Sequence, residues 1–180
     1  MRYAQIRELD ISNGEGVGVA LFVQGCRFAC KNCFNPETWD FNGGKEWTQE
    51  TEDKLIELAS RPYIKRLSIL GGEPLADENL DDVLHLVNRF CLLLPYKSIW
   101  IYSGYTWENI MKYEYGAKYI NNFNTDALRQ CIVSKCDVLV DGRYIDSQRN
   151  PSKKFAGSDN QRVIDIWKSL EQNKIVLHCD

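Results

Sequence analysis

The stretch GVALFVQGCRFACKNCFN, residues 18–35, decides how the rest of the chain is read. Its first eight residues, Gly18 to Gly25, are an apolar run between glycines. Such a run reads as a buried strand. The remainder is a loop holding Cys26, Cys30 and Cys33. A buried strand that ends in a chemically loaded loop is the opening of a parallel α/β unit, in which ligands gather at the carboxyl ends of the strands.

The same arrangement recurs downstream. IKRLSIL (64–70) reads as a strand ending at Gly71 and Gly72, SIWIYSG (98–104) as a third, and CDVLVDG (136–142) as a fourth. Helical segments lie between them. TQETEDKLIELASR (48–61) places Leu55, Ile56, Leu58 and Ala59 on an amphipathic face. In LADENLDDVLHLVNRF (75–90), Leu80, Val83, Leu84, Val87 and Phe90 fall at spacings of three and four, with Pro74 opening the element. TWENIMKYE (106–114) starts a helix with Thr106 as N-cap, and TDALRQCI (125–132) is a further short helix. Asn42–Gly44 marks a turn. Residues 146–161 form a long polar loop, and RVIDIW (162–167) and KIVLHC (174–179) are late strands. Alternating strands and helices predict right-handed parallel crossovers. A chain of 180 residues is too short for a complete eight-fold barrel of about 250. The expected fold is α/β, an open partial barrel or open sheet of mostly parallel strands, in one domain spanning 1–180.

Composition bounds the function. Hydrophobic content of 44% and charged content of 26% are those of an ordinary folded domain, and the net charge of −3 supplies no bulk attraction to nucleic acid or anionic lipid. No apolar run approaches the roughly 20 residues of a membrane span, and the first residues lack a signal-peptide core. The expected location is the cytoplasm. Seven cysteines, an odd number, then point to metal ligands or redox groups rather than disulfides.

Thiolates are soft ligands for zinc, copper(I) or iron–sulfur clusters. Structural zinc closes its shell with four protein ligands, and an electron-transfer cluster also takes four cysteines. The loop offers three, so a distant residue completes a zinc site, or one iron of a cluster stays open to a substrate. Cys91, Cys131, Cys136 and Cys179 have no metal-ligand spacing and read as core or free thiols; His85 and His178 read as structural.

CRFACKNC (26–33) matches the Cys-x3-Cys-x2-Cys signature of the radical S-adenosylmethionine family, and GGEP (71–74) resembles that family's second motif. Taken alone, GGEP would be a strand-to-helix turn with proline at the first helical position. Further segments, GVALFVQGCRFACKNCFNPETWD (18–40), LSILGGEPL (67–75), IWIYSGYTWE (99–108), DVLVDGRY (137–144) and FAGSDNQRVID (155–165), resemble the small activases of anaerobic ribonucleoside-triphosphate reductase. The resemblance implies a radical SAM type of partial barrel. It implies a [4Fe–4S] cluster on Cys26, Cys30 and Cys33, with S-adenosylmethionine chelating the open iron. By the same resemblance Gly71, Gly72 and Glu73 support the methionine end, Glu73 accepting from its ammonium. Asn32, Cys33 and Phe34 border the adenine; the position before the third cysteine, aromatic in many members, is Asn32 here, with Phe34 as a partial substitute. Ser103 belongs to the ribose or methionine wall, and Asp141 either lines the site or caps a turn. Phe22, Val23 and Phe28 are expected to limit water near the cluster. The implied activity is reductive cleavage of S-adenosylmethionine and formation of a glycyl radical on the large reductase subunit, with a reduced flavodoxin- or ferredoxin-type donor. The alternatives are an activase of the pyruvate formate-lyase type, a simple electron carrier and a zinc-stabilised binding module.

Overall fold

A computed structural model describes residues 1–112 and 125–179. In chain order the elements are β1 (Arg2–Asp10), β2 (Gly18–Val23), β3 (Lys45–Glu46), α1 (Gln49–Ser60), β4 (Arg66–Gly71), α2 (Leu80–Leu93), β5 (Ser98–Tyr102), α3 (Trp107–Ile110), α4 (Thr125–Val133), β6 (Val138–Asp141), β7 (Arg162–Asp165), α5 (Ile166–Gln172) and β8 (Leu177–Cys179). The strands form one open sheet in the order β3-β1-β2-β4-β5-β6-β7-β8. Its centre, β2-β4-β5-β6, is parallel.

Strand alternation sorts the sheet's side chains onto two faces. Val19, Leu21 and Val23 of β2, Leu67 and Ile69 of β4, Ile99 and Ile101 of β5, Leu139 of β6 and Ile164 of β7 join the main core with the helices. From α2, Leu80, Val83, Leu86, Val87 and Phe90 are buried there. Each such side chain stabilises the fold by roughly 2 kcal/mol. The opposite face carries Ala20, Phe22, Leu70, Trp100, Tyr102, Val138, Val140 and Val163 in two smaller clusters. It faces away from the helices and forms the wall of the site.

The lower end of that face is closed by Arg66, whose side chain is fully buried. Its guanidinium donates to Asp10 Oδ2 at 2.7 Å, Ser68 Oγ at 2.6 Å and the Glu15 carbonyl at 3.1 Å. A Cβ on Gly18 would stand 2.4 Å from this guanidinium, so glycine there makes the room. Each of its three nitrogens has an acceptor, and the Asp10 carboxylate balances its charge, as burial of a charge requires.

Helix starts follow side-chain chemistry. Thr48 Oγ1 accepts from the Thr51 amide at 3.2 Å, and Asp165 Oδ1 from the Lys168 amide at 3.0 Å. Thr106 caps α3 as its sequence predicts; Tyr113 and Glu114 of that predicted helix lie outside the described residues.

Four expectations need correction. The sheet is mixed rather than mostly parallel: β1 pairs antiparallel with β2 and β3, and β7 pairs antiparallel with β6 and β8. β1 reaches β2, and β6 reaches β7, through loops with no α-helix to carry the chain back for a parallel pairing, while β7 and β8 are joined through the short helix α5. The strand β1 was hidden because Arg2–Asp10 mixes charged and apolar residues without clean alternation. Pro74 does not open α2, which starts at Leu80 after a turn at Asp77–Asn79. RVIDIW is a strand only to Asp165, whose carboxylate then caps α5. Among the described residues no helix is long and apolar enough to cross a membrane.

Candidate metal and co-substrate site

The four central strands end together at Val23, Gly71, Tyr102 and Asp141. Being parallel and in register, they deliver their following loops to one rim. Main-chain bonds lock these loops to one another. The Gly72 amide donates to the Val23 carbonyl at 2.9 Å and the Glu73 amide to the Gly25 carbonyl at 2.7 Å. Asn79 Nδ2 spans the carbonyls of Gln24 and Glu73 at 3.0 and 2.9 Å. A Cβ on Gly72 would meet the Gly25 carbonyl oxygen at 2.6 Å and that of Thr38 at 2.9 Å. The second motif is glycine-rich because the cysteine loop's own backbone passes against it.

The cysteine loop is closed at its base. The Gly25 amide donates to the Thr38 carbonyl at 2.8 Å, and the Cys26 amide to the Trp39 carbonyl at 3.0 Å. Within it Ala29 and Asn32 have φ of +45° and +56°, in the left-handed region that non-glycine residues seldom adopt. Cys26, Cys30 and Cys33 are all partly exposed. They line one cavity of about 650 Å³ together with Phe34, Gly71, Gly72, Glu73 and Ser103. These eight are all the residues that the sequence assigns to the site apart from Asn32. Asn32 turns outward and donates to Asp146 Oδ2 at 2.9 Å. Val23 points into the helix core rather than toward the thiols. Phe22 and Phe28 do line the cavity.

Glu73 is almost fully buried, at 3% exposure. Its Oε1 accepts from the Leu75 amide at 2.9 Å and Ser103 Oγ at 2.8 Å, and its Oε2 from the Gly104 amide at 2.8 Å. Burial pushes its pKa up to about 7, against the lowering effect of those donors. The side chain therefore ties the end of β4 to the end of β5. Asp141 resolves to the capping alternative. It accepts from the Trp107 amide at 2.7 Å, pairs with Arg162 and is absent from the cavity wall.

Much of the wall has no motif to announce it. Trp39, Arg143, Arg149 and Phe155 line it beside Tyr102, which directly precedes Ser103. Tyr102 Oη and Trp39 Nε1 are buried without a hydrogen-bond partner, and a bound ligand's polar atoms are the ordinary remedy for such groups. Arg7, Arg143 and Arg149 stand over the rings of Phe22, Phe28 and Phe34 at 4.3, 4.3 and 5.9 Å. These are contacts between residues far apart in the chain, with no local motif.

The donor set suits an iron–sulfur cluster. Three soft thiols face one opening, and the Asn35 amide points at Cys33 Sγ from 3.4 Å. Burial raises the Cys26 and Cys30 thiols, with the Glu73 and Cys33 charges adding to it respectively. Among the described residues no three His, Cys, Asp or Glu side chains converge tightly enough to share a single ion.

Comparison with known proteins agrees with this chemistry. A family described as a 4Fe-4S single cluster domain matches residues 12–164. The anaerobic ribonucleoside-triphosphate reductase-activating protein of Vibrio cholerae serotype O1 is 39% identical over 165 residues, 91% of this chain and 97% of the relative. The protein of the same description from Escherichia coli K12 is 35% identical over the same shares, and that of Enterobacteria phage T4 is 35% identical over 95% of this chain and 96% of its own. The family match spans the cysteine loop, the glycine turn and the strand ends that build the cavity, and with these relatives covered almost end to end the chain belongs to the family of anaerobic ribonucleoside-triphosphate reductase-activating proteins.

Proposed function

We propose that this chain is a radical-generating activase: it cleaves S-adenosylmethionine reductively and forms a glycyl radical on the large subunit of an anaerobic ribonucleoside-triphosphate reductase. The observation that carries the reading is the meeting of three partly exposed thiols with the ends of four parallel strands on one open cavity of about 650 Å³. Cys26, Cys30 and Cys33 would hold a [4Fe–4S] cluster. When bound, the cluster supplies one electron to the sulfonium, and S-adenosylmethionine supplies the oxidising carbon centre. The radical SAM type of partial barrel, the flavodoxin- or ferredoxin-type donor and a cytoplasmic setting belong to the same reading.

The chain's own residues have definite work in it. Phe22, Phe28, Leu70, Val140 and Phe155 present an apolar wall that keeps water from a reactive carbon centre. Gly71 and Gly72 bring main chain close to the methionine end, while Cys33 and Phe34 border the adenine and Asn32, its side chain turned outward, contributes main chain only. Ser103 is held by Glu73, so both act as one support on that side. Hydrogen abstraction from a glycine Cα requires no general base, so the cavity needs shape rather than an acid–base pair.

The test is anaerobic reconstitution with iron and sulfide, then S-adenosylmethionine and dithionite. Formation of 5′-deoxyadenosine, and a glycyl doublet in electron paramagnetic resonance after adding the reductase large subunit, are the expected results. One equivalent of zinc without sulfide, or a cluster that yields no 5′-deoxyadenosine, would defeat the proposal.

A further inference from the structure

The polar segment from Gly142 to Gln161 folds back onto the cysteine loop. It is internally knit. The Asn150 amide donates to the Gly157 carbonyl at 3.0 Å, and the Asp159 amide to the Gln148 carbonyl at 2.8 Å. Gln161 bonds both ends, donating to the Gly142 carbonyl and accepting from the Gly157 amide, each at 2.9 Å. So braced, the segment presents Tyr144, Asp146 and Arg149 to the cysteine loop.

Their contacts fall on the two non-cysteine residues that flank Cys33. Asp146 Oδ2 accepts from Asn32 Nδ2 at 2.9 Å, while its Oδ1 accepts from the Tyr144 hydroxyl at 3.1 Å. The Tyr144 ring lies 5.0 Å from the Phe34 ring, centroid to centroid. A Cβ on Gly157 would stand 2.7 Å from the Phe34 ring, so glycine lets the segment seat that closely. Asn32 is held in the left-handed region at φ +56°. That conformation sets the direction of the chain between Cys30 and Cys33, and a side-chain bond two residues from one ligand and one from the other helps to keep it there.

We infer that residues 142–161 are a clasp over the cysteine loop, and that Asp146 is a positioning residue acting through Asn32 to hold Cys33 in its ligating direction. The inference rests on the cluster reading given above. The Asn32–Asp146 bond is at the surface, so its loss frees the loop without unfolding the chain. Asparagine at 146 keeps both bonds: its carbonyl accepts from Asn32, and its amide donates to the Tyr144 oxygen. Alanine keeps neither.

The experiment uses anaerobically reconstituted holoprotein and follows cluster absorbance during challenge with an iron chelator. Asp146→Ala and Asn32→Ala are each expected to lose the cluster about five-fold faster than the unmodified protein, the scale of one surface hydrogen bond. The double variant should be no faster than either alone, and Asp146→Asn should match the unmodified protein. Urea midpoints of the cluster-free variants should fall by no more than the loss of one surface hydrogen bond allows, which separates loop release from misfolding. An unmodified rate in Asp146→Ala, or additive effects in the double variant, would overturn the clasp while leaving the cluster reading intact. Cys30→Ala that still reconstitutes a full cluster would overturn the ligand reading, and the clasp with it.

Discussion

Glu73 offers a test in which the sign of a pH dependence is fixed by burial. An exposed glutamate titrates near 4.5, and here it is pushed up to about 7. The folded chain therefore holds this proton more tightly than the unfolded chain. Its contribution is fully present below pH 4.5 and is lost as pH rises through about 7. The interval corresponds to about 3 kcal/mol. Glu73→Gln removes the titration, because a carboxamide stays neutral. The substitution also sets its NH2 group against the Gly104 amide, or against Leu75 and Ser103 if the amide is flipped. That costs about 1–3 kcal/mol at every pH. The variant should thus be less stable than the parent at pH 4.5 and approach or exceed it at pH 8, the difference moving by about 3 kcal/mol. The assay is urea denaturation of cluster-free protein, kept anaerobic and followed by tryptophan fluorescence across that range. A difference that stays flat with pH would show that burial does not govern this carboxyl.

Other consequences are more local. Arg162→Ala leaves the buried Asp141 carboxylate with only the Trp107 amide, and should lower unfolding free energy by about 3 kcal/mol; a urea midpoint equal to the parent's would contradict this. In the same variant Glu108, held down at about 2 by its bond to Arg162, should titrate nearer 4.5 by NMR. Tyr102→Phe deletes a buried hydroxyl that has no partner, so the ligand-free protein should gain about 1 kcal/mol; loss of stability would mean the hydroxyl is satisfied. Gly72→Ala drives a methyl into two main-chain carbonyls, and should cost at least about 2 kcal/mol and impair iron retention on reconstitution. Alanine at Cys26, Cys30 or Cys33 should abolish bound iron and sulfide, whereas alanine at Cys91, Cys131 or Cys179 should not. Iron analysis showing a loss in the second group would change the ligand set.

The parallel centre of the sheet is legible in residue order alone, because apolar runs of strand length alternate there with 3.6-residue periodicity. So are the three thiols and the glycine turn, because their chemistry is written in short spacings. Those features depend on neighbours within about ten residues. The antiparallel flanks, the buried Arg66–Asp10 pair and the outward turn of Asn32 were decided by the tertiary structure. So were the arginines stacked over rings and the orphaned Tyr102 hydroxyl. Each of these depends on groups brought together from distant parts of the chain, where a side chain's role is set by what the fold places against it. Glu73 shows the division most plainly: its place in GGEP is a matter of sequence, whereas burial and the donors of Leu75, Ser103 and Gly104 make it a bracket between two strands.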